Sequence, residues 1–424
     1  MRAGSSKRLM ARYVTRVILP ASASGDAPRL VCARALRGFA DGVVSVVLPA
    51  YLTALGFSPL EIGAIATATL LGSAVLTLAV GLVAHQISAR ATLLTTTVLM
   101  LATGLGFGSA TAFWPLLAIS FVGTLNPSVG DVSVFLPIEQ SLLASSVAPA
   151  DRTALYARYN VAGALAAALG ALASALPELL ASTAHVSEVG AMRMAFFVYA
   201  GVALGIAPLY LGLGRVADAT AGRVPRRPLE RSRSVVLRLS ALFALDSFGG
   251  GFVVQSLLAL WLFQRFDLSL AAVAQIFFVT SLLGGLSQLV SPRLAKRIGL
   301  VRTMVYTHVP ANAFLMLAAL MPTAPLAISF LFLRMALSSM DVPARQAYVM
   351  AVVPPEERAA AASVTNVPRS LGTGLAPLLA GWMLAHSSFG WPLLVGGALK
   401  ISYDLLLLAQ FRHHEPAEET ALPL

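Results

Sequence analysis

The chain has 424 residues, of which 57% are hydrophobic and only 12% charged, and its mean hydropathy is +0.79. This composition excludes a soluble globular protein, in which about 25% of residues are charged. The formal charge of +11 does not indicate a nucleic-acid partner, because the basic residues lie in the short connections between apolar runs, as the positive-inside rule requires. The single cysteine, Cys32, excludes an internal disulfide.

The first segment, residues 1–30, is basic and holds one acid, Asp26. Arg16 interrupts the only apolar stretch that a cleaved signal peptide would use, so none is predicted. A disordered cytoplasmic tail, or a start of the natural chain at Met10, is the favoured interpretation. An interfacial amphipathic helix is the alternative.

Twelve apolar runs follow, each long enough to cross a bilayer core of about 30 Å. Because backbone groups in hydrocarbon must bond internally, each run is predicted to be an α-helix. Alternate connections are rich in arginine and lysine, which places both termini and the longest loop in the cytoplasm. The predicted spans are 33–55, 60–84, 91–111, 114–142, 155–179, 194–213, 239–263, 269–291, 301–321, 324–350, 359–384 and 390–411.

The longest loop separates two sets of six spans and carries seven arginines, with Pro225 and Pro228 among them. Such a composition is typical of a linker between two halves. The predicted organisation is a basic N-terminal tail (1–30), a six-helix bundle (31–213), a cytoplasmic linker (214–238), a second six-helix bundle (239–411) and a C-terminal tail (412–424).

The two halves share a sequence repeat. The stretch Asn126–Arg152 recurs as Ser338–Arg358, with Gln140 aligned to Gln346 at an offset of 206 positions. Self-similarity at a fixed long period indicates an internal structural repeat. The predicted fold class is therefore an all-α membrane protein with twelve transmembrane helices in two six-helix pseudo-repeats. Matching residues also include Pro137 and Pro343, Pro149 and Pro355, Arg152 and Arg358, and Asn160 and Asn366.

This organisation resembles the major facilitator superfamily (MFS) of secondary transporters, and the resemblance covers residues 31–411. It is sharpest in the loop after the second span of each half, where the family carries G-x-L-A-D-R-x-G-R-R. The aspartate of that motif is replaced in both copies, by His85 and Lys296, so the family's usual charge relay for cytoplasmic gating is not expected. The matching gating-loop positions are Gly81, His85, Arg90, Lys296, Arg297 and Gly299.

Four aspartates inside the spans are candidates for proton coupling, because an ionised side chain in a membrane costs several kcal/mol. The resemblance implies that the helices carrying them, the first, fourth, seventh and tenth, line a central cavity. Two of these carboxyls have an arginine at helical ion-pair spacing, Arg37 and Arg345, so structural pairing and transport are equal alternatives for them. The candidates are Asp41, Asp131, Asp246 and Asp341.

Asp131 and Asp246 have no basic residue three or four positions away. An unpaired carboxyl in an apolar site binds a proton near neutral pH, which is the property that a proton-coupling residue needs. These two aspartates are therefore the favoured coupling sites. The alternative is that each pairs with an arginine on a neighbouring helix.

Arg334 and Arg369 lie within the tenth and eleventh spans, and neither has a counterpart in the first half. A guanidinium inside a membrane suits an anionic substrate, so both are predicted substrate-binding residues, with Gln255 as a further candidate. Lys400 and Asp404 have ion-pair spacing in the twelfth span and are predicted to form a structural pair.

The sequence contains no phosphate-binding loop, zinc spacing or nucleophile motif, so neither an enzyme nor a cofactor is expected. The prediction is a transporter that moves a small solute by alternating access, through proton-coupled export across the bacterial inner membrane. An uptake symporter or facilitator of a polar or anionic metabolite is the first alternative. A transporter-like membrane sensor is an alternative of another class. The expected partners are the substrate, protons and the lipid bilayer, and the expected state is a monomer.

Overall fold

The computed structural model describes residues 19–20, 22–83, 86–128, 133–148, 151–184, 186–218, 232–354 and 357–411. Every regular element in these ranges is helical. The chain is divided below into a first half, helices α1–α8, and a second half, helices α9–α16.

The first half begins with a helix of 29 residues, which at 1.5 Å per residue is longer than a bilayer core is thick. Serine N-caps start two of its helices: the hydroxyl of Ser88 accepts from the amide of Ala91, and that of Ser187 from the amide of Gly190, both at 3.2 Å. The helices are α1 Asp26–Ala54, α2 Pro59–Val83, α3 Ala89–Ser109, α4 Phe113–Val122, α5 Phe135–Ser145, α6 Arg152–Ala173, α7 Leu176–Ala184 and α8 Glu188–Leu211.

The second half follows a short 3₁₀ turn at Arg215–Asp218. Gly299 separates two of its helices with a φ of 87°, a backbone conformation that side chains other than that of glycine rarely allow. The helices are α9 Arg233–Gly251, α10 Gln255–Phe266, α11 Leu270–Ile298, α12 Leu300–Leu320, α13 Ala324–Ser338, α14 Asp341–Val352, α15 Arg358–His386 and α16 Trp391–Phe411.

Four predicted spans are interrupted rather than continuous. The fourth breaks between α4 and α5, the fifth between α6 and α7, the seventh between α9 and α10, and the tenth between α13 and α14. Pro137 and Pro343 each occupy the third residue of the resumed helix, where the missing amide costs nothing, so the break precedes the proline. Non-helical backbone at this depth is tolerated where protein surrounds it, and the amide of Ser256 donates to the carbonyl of Pro127 at 3.1 Å in one such place.

Nine stretches of the described chain are long and apolar enough to cross a membrane. The predicted first, fourth and eleventh spans are not among them; in the first, the charged residues of α1 lower the mean hydropathy. The nine are Pro59–Leu82, Ala89–Ser109, Leu155–Thr183, Glu188–Leu211, Arg233–Phe266, Leu270–Ile298, Leu300–Leu320, Ala324–Val349 and Trp391–Phe411.

The helices pack in the same pattern within each half. In the first half α1 packs on α6 and α3 on α8; in the second, α9 packs on α15 and α12 on α16. Small residues allow this approach: a Cβ at Gly38 would lie 2.5 Å from the carbonyl oxygen of Gly163, and one at Gly42 only 2.1 Å from that of Ala167. The alanine- and glycine-rich part of α6 that contains Gly163 and Ala167 is therefore a helix-packing surface.

The halves meet where α2 packs on α15 and α6 on α11. The end of the bundle that carries the helix connections after Ala54, Phe266 and His386 is called the far end, and the arginine-rich end is called the basic end. At the far end α2 and α15 cross through Gly63 and Gly381, where a Cβ on either glycine would lie 2.9 Å from the other's Cα. This backbone contact closes the far end.

Hydrogen bonds reinforce this closure. Thr67 accepts from the amide of Leu378 at 2.9 Å, one helical turn from the glycine contact. Glu178 accepts from the amide of Ala271 at 2.7 Å, so a carboxylate of the first half caps a helix of the second.

Candidate functional site

A buried ion pair joins the first and fourth spans. Arg37 on α1 donates through Nη2 to Glu139 on α5, and both side chains are almost completely buried. The hydroxyls of Tyr159 and Tyr210 also donate to Glu139, the latter at 2.6 Å. The face of Phe135 lies 4.3 Å from the guanidinium carbon of Arg37. The carboxylate is thus satisfied by three donors, which a buried charge requires. Arg37, Glu139, Tyr159 and Tyr210 are called the first-half cluster.

A pair with Asp41, four residues further along the same helix, was one of two equal alternatives for Arg37, but the structure pairs it with Glu139 instead. A cross-helix partner prevails because both α1 and α5 turn these side chains into the bundle interior. Asp41 is buried on α1, two turns after Arg34 and one turn after Arg37.

A larger cluster of charges fills the second half. Asp246 on α9 accepts from Lys400 Nζ at 2.6 Å through Oδ1 and from Arg345 Nη1 at 3.0 Å through Oδ2. Arg345 also forms the expected pair with Asp341, at 3.4 Å. His308 and Asp404 complete the second-half cluster, which comprises Asp246, His308, Asp341, Arg345, Lys400 and Asp404.

Two pairing predictions are therefore wrong. Asp246 is not an unpaired carboxyl, since two cations from neighbouring helices hold it; the alternative prediction, an arginine partner on another helix, is confirmed. Lys400 does not pair with Asp404 within α16. Asp404 instead contacts Nδ1 of His308 with both oxygens, at 2.9 and 3.0 Å.

The two clusters mirror each other with opposite charges. In the first half the cation, Arg37, is on the first span and the carboxylate, Glu139, on the fourth. In the second half the carboxylate, Asp246, is on the seventh span and the cation, Arg345, on the tenth. Glu139 and Arg345 align at the same offset of 206 as the sequence repeat. That alignment of opposite charges was the signal in the sequence for both cross-helix pairs.

A cavity of about 240 Å³ lies beside the second-half cluster. Arg334 on α13 reaches into it, and Lys400 and Gln255 line it too. The only hydrogen bond that the described residues offer Arg334 is the sulfur of Met335, at 3.4 Å, and its buried Nε has none. Gln255 donates to Ser45 of α1 at 3.0 Å and so ties the cavity wall to the first half.

The predicted site residues are thus only partly brought together. The cavity is lined by Arg334 and Gln255, and Asp246 adjoins it through its hydrogen bond with Lys400. Arg369 on α15 does not line the cavity; its Nε donates to the hydroxyl of Ser247 at 3.3 Å. Asp131 and His85 lie outside the described residues.

Arg90, in the gating-loop motif after the second span, binds the carbonyl end of α8 and an aspartate that follows that helix. Its guanidinium donates to the carbonyls of Leu211 at 2.9 Å and Leu213 at 2.5 Å, and pairs with Asp218 at 2.8 Å. Gly299 makes the positive-φ break after α11. The other motif positions that the structure describes, Gly81, Lys296 and Arg297, are exposed at helix ends.

A model of the major facilitator superfamily matches residues 30–340 and 309–423. The chain belongs to this superfamily. It is 26% identical over 427 residues, covering 92% of this chain and 94% of the relative, to the uncharacterized membrane protein YJR124C of Saccharomyces cerevisiae. Because it belongs to the MFS, the protein is an integral membrane transporter and not an enzyme.

Solved structures share the fold at low identity. The nucleoside transporter NupG is 14% identical with a TM-score of 0.67, over 92% of this chain and 100% of that one. A bacterial homologue of the iron transporter ferroportin in an inward-facing state is 14% identical with a TM-score of 0.70, over 91% and 98%. A bacterial homologue of the lysosomal transporter Spinster, inward-facing and occupied, is 16% identical with a TM-score of 0.66, over 94% and 98%. At these identities the likeness establishes the fold alone.

Proposed function

We propose that this MFS transporter moves a small anionic solute, which binds Arg334 in the cavity beside the second-half cluster. The observation that carries this proposal is the guanidinium itself: Arg334 lines a cavity with both polar and apolar walls and has no carboxylate partner among the described residues. A desolvated cation is costly unless it is paired. A bound anion supplies the missing partner.

The chemistry of the cavity supports an anion with a planar or tetrahedral acidic group. A guanidinium donates two parallel hydrogen bonds to a carboxylate or phosphate. The hydroxyls of Ser281 and Ser338 line the same space and are able to donate to further oxygens, whereas that of Thr280 donates to the carbonyl of Phe277 at 3.1 Å. A volume of about 240 Å³ favours a small solute over a bulky one.

Alternating access follows from how the halves are joined. We infer twelve transmembrane helices in two six-helix halves, joined by the linker 214–238, that rock about the α2–α15 and α6–α11 contacts. Closure through Gly63 and Gly381 at the far end supports a conformation that opens toward the basic end. The positive-inside rule assigns the basic end, and both termini, to the cytoplasm.

Proton coupling at Asp41, Asp131, Asp246 or Asp341 stays a prediction. Asp246 and Asp341 belong to the second-half cluster, which adjoins the cavity through Lys400. This closeness favours the cluster as the place where proton coupling occurs. Export across a bacterial inner membrane also stays a prediction. The unpaired arginine favours the anionic substrate of the alternative function, in either direction of transport.

The proposal is tested by ligand-dependent stability of the purified protein. A panel of small carboxylates, phosphate esters, organic cations and neutral sugars is added, and the unfolding temperature is measured. At least one anion is expected to raise it, and Arg334→Gln is expected to abolish the rise. The control is Arg302→Gln, an exposed arginine at the start of α12. Stabilisation by a cation or sugar alone, or an anion effect that survives Arg334→Gln, would rule out the anion site.

A further inference from the structure

His308 has no part in the function proposed so far, yet it is the buried group best placed to carry a proton. It is 4% exposed, on α12, and its Nδ1 contacts both oxygens of Asp404. With Asp404 ionised, its oxygens only accept hydrogen bonds, so we assign the hydrogen to Nδ1. In the neutral ring Nε2 is then the basic nitrogen, and it lies 4.0 Å from Oδ1 of Asp246.

That oxygen is already occupied. Lys400 donates to the same Oδ1 of Asp246 at 2.6 Å, so the lysine and the histidine face one acceptor from two helices. When Lys400 holds Oδ1, a proton on Nε2 of His308 has no close partner. When Lys400 leaves, a protonated Nε2 takes its place as the donor.

Lys400 is also the residue that connects this oxygen to the cavity. It lines the same space as Arg334, and its amine is the only cationic group besides that guanidinium among the described lining residues. An anion in the cavity attracts Lys400 away from Asp246. Arrival of an anion and release of Oδ1 are therefore one event.

The charges balance only if a proton accompanies the anion. Three carboxylates of the second-half cluster face two permanent cations, and Arg334 beside it adds a third cation, so the empty site with neutral His308 is neutral. One bound anion adds a negative charge, and one proton on His308 removes it. A net charge buried in the membrane costs several kcal/mol, so the neutral pairings are favoured. The carboxylates are Asp246, Asp341 and Asp404, and the cluster cations are Arg345 and Lys400.

We propose that His308, held by Asp404, binds one proton for each monovalent anion, with Lys400 as the residue that links the two events. The proton passes from water to Nε2 of His308 as Lys400 moves from Asp246 to the anion, and both return when the anion leaves. Proton and anion then cross in the same direction. The inference rests on the anion site of the proposed function, and it adds the proton site and the symport coupling.

Other titratable and charged groups face His308 from each helix packed on α12, and they bear on its protonation. The C-terminal end of α11 places the exposed Arg293, Lys296 and Arg297 at the basic end, where water screens them. The remaining groups facing the ring belong to the cluster, to the adjoining cavity or to the tyrosine that contacts it. They are Lys400, Tyr403 and Asp404 on α16, Asp246 on α9, Asp341 and Arg345 on α14, and Arg334 on α13.

Two measurements test the proton site, and the first needs no substrate. The histidine side chains of the purified protein are labelled with ¹⁵N, and the His308 signal is assigned by its loss in His308→Gln. Lys400→Met imitates departure of the lysine, and at a pH where His308 is neutral in the wild type it is expected to be doubly protonated in this variant. Lys400→Arg is the control and is expected to leave it neutral. An unchanged signal in Lys400→Met overturns the linkage.

The second measurement follows protons during transport. Liposomes that contain the full chain and a trapped pH-sensitive dye receive an inward gradient of a membrane-impermeant anion, chosen from gluconate, glycerate and isethionate, which carry one negative charge and do not buffer near neutral pH. The lumen is expected to acidify as labelled anion enters, and in His308→Gln the acidification per anion is expected to fall at least tenfold. Anion entry without acidification in the wild type, or equal acidification in His308→Gln, overturns the inference. If no anion of the panel enters, the anion site itself fails, and the ¹⁵N measurement still decides the proton site.

Discussion

Replacing Glu139 by glutamine is expected to destabilise the first half more than any exposed substitution. The carboxylate is completely buried and receives Arg37, Tyr159 and Tyr210 as donors. Glutamine has nearly the same shape and keeps one acceptor oxygen, so packing changes little. What is lost is the negative charge, which leaves the guanidinium of Arg37 buried and uncompensated.

The magnitude follows from the geometry. Two unit charges about 4 Å apart interact by about 4 kcal/mol at an effective dielectric constant of about 20. Removal of one partner of a buried pair costs about 3–5 kcal/mol in measured cases. Arg37→Met with Glu139→Gln removes both charges together. The double variant is therefore expected to lose at least 2 kcal/mol less than the sum of the two single losses.

The assay is reversible unfolding of the purified protein in mixed micelles, followed by circular dichroism. The control is Glu61→Gln, since Glu61 bonds locally to Ser58 at the start of α2 and has no arginine partner among the described residues. It is expected to cost less than 1 kcal/mol. Additive losses from Arg37→Met and Glu139→Gln would show that the pair does not act as a unit and would refute the reasoning.

Two further substitutions test the joint between the halves and the gating loop. Gly381→Val forces a side chain against the backbone of α2 and is expected to open the far end. The rate at which an impermeant maleimide labels a cysteine introduced by Ser45→Cys should then rise at least threefold. The control is Gly205→Val, which adds a side chain in open space on α8 and should leave the labelling rate unchanged. Equal rates in the two variants would contradict the closure described. Arg90→Ala removes the carbonyl cap of α8 and is expected to cost about 1–3 kcal/mol of unfolding free energy. Asp218→Asn keeps that cap and is expected to cost less than half as much; an equal cost would assign the effect to the ion pair.

Several features followed from the sequence because they depend on local chemistry. Gly299 was marked by its motif, and the positive φ at that residue explains why glycine is needed there. The pair Asp341 and Arg345 forms as helical spacing predicts, because four residues along a helix bring two side chains to one face whatever surrounds them. Arg334 was identified as a lone charge in an apolar run, and it remains without a carboxylate partner among the described residues.

The cross-helix pairs did not follow, because periodicity shows which face of a helix is buried but not which helix lies against it. The same spacing rule that succeeded for Asp341 failed for Arg37, whose partner on another span is 102 residues away. It failed again for Lys400, which reaches 154 residues back to Asp246. The breaks in the fourth, fifth, seventh and tenth spans were also missed, since a hydropathy pattern does not register backbone that is satisfied by neighbouring protein.

The most direct test of the central claim is uptake of a labelled anion by Arg334→Gln in proteoliposomes. The anion is the one that stabilises the wild-type protein most, and the variant is compared with the wild type and with Arg302→Gln at equal protein content. Hydrogen bonds to a charged group contribute about 1.5–3 kcal/mol, so initial uptake at low anion concentration is expected to fall about 10- to 100-fold in Arg334→Gln alone. Uptake by Arg334→Gln at the wild-type rate would contradict the account, because the cavity arginine would then have no part in binding what the protein carries.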